Sequence, residues 1–328
     1  MLKLTAPRFW AHSQARFWPA VLSPVAWGVA IAARHRMRRV GWHAPVPVLC
    51  CGNVSVGGTG KTTVVIDLVQ RLLARGRYPH VLTRGYGGRE ANAILVDRSC
   101  HTARQVGDEP LLLAEYCPVW VGADRAATAR LAIQAGADCL IMDDGFQNPS
   151  LQKTFSLLVV DGAVGFGNGH VLPAGPLREN MRDALLRADA LLVIGPDRTA
   201  VAEYHTLLPV VRADLEQTEV PDRIATHPCV AFAGIGRPDK FFEGLRASGL
   251  VLARTLPFPD HYAYKPRDIK RLQALASGLG AQLVTTPKDA MRLPLDFRQN
   301  VVEAGVRLVW PDPGVVEHLL DTFLATPV

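Results

Sequence analysis

The stretch Gly52-Asn-Val-Ser-Val-Gly-Gly-Thr-Gly-Lys-Thr-Thr63 restricts the fold more than any other part of the chain. Residues 45–51 before it read as a short buried strand. After it, Val64, Val65, Leu68 and Leu72 recur at helical spacing over residues 61–74. A strand, a glycine turn and a helix in that order gather backbone N–H groups at a helix N-terminus, where they suit a polyphosphate. Gly57, Gly58 and Gly60 let the backbone converge, with Ser55, Val56 and Thr59 completing the cradle. Lys61 reaches the outer phosphates of ATP, and Thr62 is placed to ligate Mg²⁺. The Walker A pattern has glycine where this chain has Ser55, and Gly57 and Gly58 still supply the turn.

Downstream, apolar runs end repeatedly in polar turns. Residues 80–83 predict a strand ending in Arg84-Gly-Tyr-Gly-Gly-Arg89, whose two arginines suit a phosphate or an anionic substrate; a solvated turn is the plain alternative. Gly107-Asp-Glu-Pro110 opens an apolar helix over 111–116, so Asp108 and Glu109 are either partners of the helix dipole or a general base and a Mg²⁺ contact. A strand over 119–122, a helix over 124–135 and a strand over 139–142 lead into Asp143-Asp-Gly-Phe-Gln-Asn148. That is a Walker B element, with Asp143 on Mg²⁺ directly or through water and Asp144 beside it. Strands over 156–160 and 190–194 continue the alternation, which predicts an α/β, P-loop NTPase-like doubly wound sheet with ligands at its strand C-termini. The loop over 162–179 is too long for a bare connection and makes Asn168 and Arg178 substrate-facing candidates.

From about Pro221 a smaller C-terminal α/β domain begins, with a strand over 229–233, a helix over 239–247 and the loop Pro257-Phe-Pro-Asp-His-Tyr-Ala-Tyr264. His261, between Asp260 and Tyr262, is an acid–base candidate there. Thr285-Thr-Pro-Lys-Asp289 looks like a guanine-reading motif but fails, because Lys288 and Asp289 are adjacent. The expected divisions are 1–44, a membrane-associating segment; 45–220, the nucleotide-binding domain; and 221–328, the smaller domain.

Charge is uneven. Eight basic residues and no acidic one precede Asp67, so a net charge of +6 leaves the rest of the chain slightly acidic and argues against a nucleic-acid surface. Residues 17–33 are uncharged and run into Arg34-His-Arg-Met-Arg-Arg39. As a transmembrane span this run is short and holds Pro19 and Pro24; as a signal peptide it starts late and precedes an ATP loop that needs cytosolic nucleotide. Packing on its own domain is a further alternative. The preferred reading is a membrane-interfacial helix, with Trp10, Trp18, Trp27 and Trp42 at headgroup level and arginines on anionic lipid, each worth about 1 kcal/mol. Six cysteines without metal-ligand spacing look like reduced core residues.

Across residues 45–295 the motifs Gly57-Gly-Thr-Gly-Lys-Thr62, Arg84-Gly-Tyr-Gly87, Gly107-Asp-Glu-Pro110, Asp143-Asp-Gly-Phe-Gln147, Gly167-Asn-Gly169 with Leu172-Pro-Ala-Gly-Pro-Leu-Arg178, Phe232-Ala-Gly-Ile-Gly236, Asp260-His-Tyr262 and Thr285-Thr-Pro-Lys-Asp289 resemble, in order, the tetraacyldisaccharide 4'-kinase family of lipid A biosynthesis. The resemblance implies a Mg-ATP-dependent kinase at the cytoplasmic face of the bacterial inner membrane. It would phosphorylate the 4'-hydroxyl of a tetraacylated glucosamine disaccharide 1-phosphate to a lipid IVA type of product. It further implies Asp108 as catalytic base and His261 as its partner across a domain cleft. In this scheme Lys61 stabilises the transferring charge, and Thr62 and Asp143, with Glu109 and Asp144, hold Mg²⁺. Arg84, Arg89, Asn168 and Arg178 face the acceptor. The implied partners are the amphiphilic substrate and an anionic membrane surface, with no nucleic acid. The chain departs from the family at Asn148, usually His, and Thr63, often Pro. The rival from another class is a membrane-associated switch ATPase of the partitioning or positioning type, which carries a second lysine where Val56 stands. A GTPase-like metallochaperone would need a metal tract and a guanine motif that this chain lacks.

Overall fold

The computed structural model describes residues 7–11, 17–89, 92–204, 208–218 and 227–326; the boundary expected at Pro221 and parts of the 1–44 segment lie outside them. Thirteen strands follow one another along the described chain. They are β1 (Val48–Gly52), β2 (Pro79–Thr83), β3 (Ile94–Leu95), β4 (Val119–Val121), β5 (Cys139–Asp143), β6 (Phe155–Asp161), β7 (Ala190–Ile194), β8 (Val210–Gln217), β9 (Cys229–Ala233), β10 (Leu252–Pro257), β11 (Gln282–Thr285), β12 (Val301–Glu303) and β13 (Val306–Val309). The chain packs as two compact units, one from Met1–Arg84, Gly122–Asp214 and Leu308–Val328, the other from Gly85–Val121 and Leu215–Arg307.

In the larger unit six parallel strands lie in the order β8-β7-β6-β1-β5-β2. Strands β1, β2, β5, β6 and β7 are buried along their whole length, the continuous run that a parallel sheet covered on both faces demands. From β1 the chain moves to β2 on one side, and from β5 it passes β1 to reach β6 on the other. Strand order therefore reverses beside β1, and the crevice at its C-terminal end is where such sheets bind ligands. The helix Lys61–Ala74 follows β1 and buries Val64, Val65, Leu68 and Leu72. Its Arg71 and Arg75 pair with Glu317 of the helix Pro313–Ala325, and Arg75 also with Asp321, while Trp310 donates its indole N–H to Asp67 at 2.8 Å.

The N-terminal helix Phe17–Met37 is built inside out. Pro19 and Ala26 are its buried residues, whereas Phe17, Trp18, Val21, Val25, Trp27 and Ile31 are exposed, Trp27 at 72%. On a helical wheel these exposed apolar positions span about half the circumference, the reverse of a helix packed on a soluble core. By length and composition the helix is apolar enough to cross a membrane. Trp10 and Trp42, expected at headgroup level, are engaged elsewhere: Trp10 donates its indole N–H to the Pro173 carbonyl at 3.1 Å, and the Arg130 guanidinium stacks 4.4 Å from the Trp42 ring centroid.

The smaller unit holds a second parallel sheet, ordered β10-β9-β11-β12. Alternation along β9 sends Cys229, Ala231 and Ala233 into one apolar cluster with Phe241, Phe242 and Leu245, and Val230 and Phe232 into another with Leu272 and Phe297. Residues 85–121 add the antiparallel pair β3–β4 and the helix Asp108–Leu113. Five of the six free cysteines are buried as expected; Cys100 is exposed. Burial pushes the Cys50 thiol up to about 11 and Cys139 to about 12, so these two are inert packing residues.

Candidate active site

At the end of β1, Asn53 is fully buried and donates its side-chain amide to the Ser55 carbonyl at 2.9 Å and the Thr59 hydroxyl at 3.4 Å, folding the glycine loop back on itself. Gly60 occupies the helix N-cap with φ +84°, a left-handed conformation that favours glycine, and no side chain caps the helix there. No acidic residue stands in the first turn. Lys61 begins the helix with a side chain only 11% exposed, its Nζ 3.5 Å from Asp144 Oδ1. Thr62 is buried behind it, while Val56, Gly57 and Gly58 are exposed.

The register of β1 on β5 pairs Cys51 with Asp143, which sets that buried acid beside the residue before the loop. Thr62 and Asp143 are hard oxygen donors of the kind Mg²⁺ takes. Among the described residues no group of three or more His, Cys, Asp or Glu is arranged to hold a metal by itself, so a cation here needs phosphate and water oxygens to complete its shell. Asp144 has φ +52°, a region that costs a non-glycine residue about 1 kcal/mol or more and that clusters at functional sites. Burial would raise its carboxyl, but the charges of Lys61 and Arg178 outweigh this and hold it below the usual carboxylate range. Arg178 reaches Asp144 Oδ2 at 2.9 Å and Gln147 Oε1 at 3.3 Å; Gln147 donates to the Asn53 carbonyl at 2.8 Å and to Glu179 at 2.9 Å. Asn168, on the long loop, has its amide engaged within the protein: it donates to the carbonyls of Phe9 and Ala174 and accepts from His170 N–H.

Arg125 was not singled out from the sequence. It is 2% exposed and donates to the Gly122 carbonyl. Burial lowers its pKa to about 10; the charge of Asp143 opposes that and the like charge of Arg84 adds to it, so the exposed Arg84 lies within electrostatic reach.

The smaller unit gathers the other candidates. Asp108 and Glu109 sit in the first turn of Asp108–Leu113, one turn earlier than expected. His261 Nδ1 donates to Asp108 Oδ2 at 3.0 Å, and both residues belong to this one unit rather than to opposite sides of a cleft. Glu109 N–H donates to Asp108 Oδ1 at 2.9 Å, and Arg292 Nε lies 3.0 Å from Oδ2. Burial would raise the Asp108 carboxyl, yet the hydrogen bond and charge of His261, with Arg292 and Lys288, hold it below its ordinary value. The hydrogen bond to Asp108 raises His261 in turn, against the opposing effect of burial. His261 has φ +51° and meets the edge of the Tyr86 ring at 5.4 Å. Glu109 pairs with Lys288; exposed Arg89 is held through its backbone N–H on the Gln105 carbonyl at 2.8 Å.

Arg292 is the residue that sequence reasoning missed here. The segment dismissed as a failed guanine motif, Thr285 to Asp289, caps the short helix Pro287–Ala290 through Thr286 and buries Asp289 completely. Asp289 accepts from Tyr264 OH at 2.6 Å and Gly234 N–H at 2.9 Å, and Arg292 Nη2 stands 3.2 Å from it. The arginine thus bridges Asp289 to Asp108. Arg292 lies two residues beyond that helix, in a turn, and no local pattern in the sequence pointed to it. Arg292→Met is expected to lower stability by about 3–5 kcal/mol, because it leaves two buried carboxylates without their shared cation. An unchanged denaturation midpoint would show that the bridge is dispensable.

Residues 18–325 match the family described as Tetraacyldisaccharide-1-P 4'-kinase. A tetraacyldisaccharide 4'-kinase of Gluconacetobacter diazotrophicus is 58% identical over 321 residues, covering 97% of this chain and 98% of its own. That of Gluconobacter oxydans is 53% identical over 324 residues, covering 96% and 97%. The crystal structure of "apo" form LpxK from Aquifex aeolicus in complex with ATP aligns with a TM-score of 0.76 at 26% identity, over 93% of this chain and 99% of that one.

Proposed function

The chain belongs to the tetraacyldisaccharide 4'-kinase family, and from that membership we propose that it transfers the γ-phosphoryl group of ATP to the 4'-hydroxyl of a tetraacyldisaccharide 1-phosphate, giving a lipid IVA type of product. Phosphoryl transfer asks a protein for positioning and charge neutralisation rather than covalent chemistry. Residues 55–62 cradle the ATP phosphates, and Lys61 meets the charge that builds on the transferring group. Thr62 and Asp143 are the donors that fit Mg²⁺, which when bound neutralises phosphate charge. Asp108 takes the proton of the acceptor hydroxyl, with His261 and Arg292 fixing its orientation. Arg84 and Arg89 are the exposed cations available to the anionic parts of the substrates, and Arg178 reaches the site through Asp144, with which it pairs at 2.9 Å. In functional terms the helix Phe17–Met37 serves the membrane and 45–220 hold the nucleotide loop, except that 85–121 supply Asp108 to the unit that carries His261.

The observation that carries the acceptor chemistry is the Asp108–His261 pair at 3.0 Å, a buried carboxylate kept ionised with an imidazole on one oxygen. The test is incubation with ATP labelled in its γ-phosphate, Mg²⁺ and tetraacyldisaccharide 1-phosphate in detergent. Label on the lipid is expected. Label released only as inorganic phosphate returns the switch-ATPase reading.

The exposed apolar face of Phe17–Met37 supports peripheral attachment to the cytoplasmic face of the inner membrane, with the arginines at 36, 38 and 39 on anionic headgroups, while Arg34 pairs with Asp183 at 2.8 Å. Burying one large apolar side chain stabilises by about 1.5–3 kcal/mol. Trp18→Ser with Trp27→Ser is therefore expected to weaken partition onto anionic vesicles by about 100-fold or more. Co-sedimentation measures it, and unchanged partition would move the contact elsewhere on the chain.

A further inference from the structure

We propose that Asn168 is a positioning residue for the nucleotide loop: it ties Phe9 and Trp10 to the segment Pro173–Arg178, whose backbone is paired with the loop itself. The connection runs through short steps, all inside the larger unit. Asn168 donates one side-chain N–H to the Phe9 carbonyl at 3.1 Å and the other to the Ala174 carbonyl at 2.9 Å, while its backbone N–H donates to the Trp10 carbonyl at 2.8 Å. Trp10 returns an indole N–H to the Pro173 carbonyl at 3.1 Å. The fit around the amide is close, because a side chain at Gly175 would place its Cβ 2.1 Å from Asn168 Oδ1.

From there the segment lies along the phosphate loop as an antiparallel strip. Ser55 and Leu177 form an isolated antiparallel bridge, Val56 N–H donates to the Pro176 carbonyl at 2.9 Å, and Arg178 N–H donates to the Val54 carbonyl at 2.7 Å. Ala174 and Leu177 are fully buried, so the strip cannot shift without opening the core beneath it. The chain holds Ser55 where the Walker A pattern has glycine, and this pairing explains how: the residue is held extended by a partner strand. Ser55 and Val56 are thus shaped from outside the loop, by a stretch that begins a few residues ahead of the membrane-seeking helix. Asn168 acts on ATP through Pro173–Arg178, not by touching a substrate.

The inference rests on the loop being the ATP site, and the test separates the two. A fluorescent ATP analogue is titrated into the full-length protein, and the KM of the lipid acceptor is measured alongside. Asn168→Asp keeps the oxygen that accepts from His170 N–H but removes both N–H donors. It is expected to weaken analogue binding about tenfold, since about two hydrogen bonds are lost, while the acceptor KM stays at the wild-type value. Trp10→Phe keeps an aromatic ring, though a smaller one, and removes one donor; it is expected to weaken binding about threefold and serves alone if Asn168→Asp does not fold. Unchanged analogue affinity in folded variants overturns the proposal, even if their melting temperatures fall. A rise in acceptor KM alone also overturns it, because Asn168 would then contact the acceptor. Failure of the wild-type protein to bind the analogue overturns the ATP reading as well.

Discussion

Lys61→Met is expected to lower kcat by about 100- to 1,000-fold, the usual loss when one pre-organised charge is removed from a developing anion. The side chain is only 11% exposed, and no acidic residue in the first turn of its helix competes with the phosphates for it. Its partner Asp144 keeps Arg178 at 2.9 Å, so the fold retains a counter-charge and the variant remains soluble for assay. Steady-state turnover measures the effect. A loss under about tenfold would show that Lys61 does not meet the transferring charge.

Asp108→Asn is expected to cut kcat by about 100- to 10,000-fold, the range for a positioned general base. The change is nearly isosteric, and the Glu109 N–H can still donate to the remaining oxygen. What it removes is the carboxylate that His261 and Arg292 share. The pH dependence carries the sharper test. His261 is raised by its bond to Asp108, so the stability it contributes is complete below the imidazole's unfolded value of about 6.5 and is lost as pH rises through the higher folded value. Asp108 is depressed, so its contribution is present above about 3.9 and is lost as pH falls through the lower folded value. Between those limits the pair is a carboxylate held by an imidazolium, and a carboxylate so held is a poor base. Turnover should therefore climb as His261 sheds its proton, with the rising limb of kcat/KM above about pH 6.5. In Asp108→Asn the residual activity should show that limb shifted to lower pH. A limb at the same pH in both proteins would remove the imidazole from the proton path.

Local pattern carried far in this chain. The helix Lys61–Ala74 and the strands Ala190–Ile194 and Cys229–Ala233 begin and end at the residues expected from apolar spacing and glycine punctuation. The acids at the ends of β5 and in Asp108–Leu113 were visible too, because a carboxylate closing an apolar run stands out. What escaped was fixed by distant partners. Arg292 gained meaning only when the fold brought Asp108 and Asp289 to its two sides. Trp10 and Trp42 had the composition of headgroup anchors, but a carbonyl of Pro173 and the guanidinium of Arg130 claimed them. Asn168 looked like a substrate contact by virtue of its loop, and no spacing rule shows that Phe9 and Ala174 occupy its amide.

The order in which the chain weaves between its two units has a consequence for synthesis. Residues 85–121 pack with 215–307, and the larger unit draws on 308–328, where Glu317 takes Arg71 and Arg75. The larger unit cannot close while a ribosome still holds the last helix, and the smaller one waits for residues up to 307, because each joins segments made far apart. The apolar helix Phe17–Met37, in contrast, lies ahead of these late segments in the chain and buries only Pro19 and Ala26. Under the proposed membrane contact, a nascent chain of this design would meet the bilayer before it has a catalytic fold, so delivery to the lipid would precede competence.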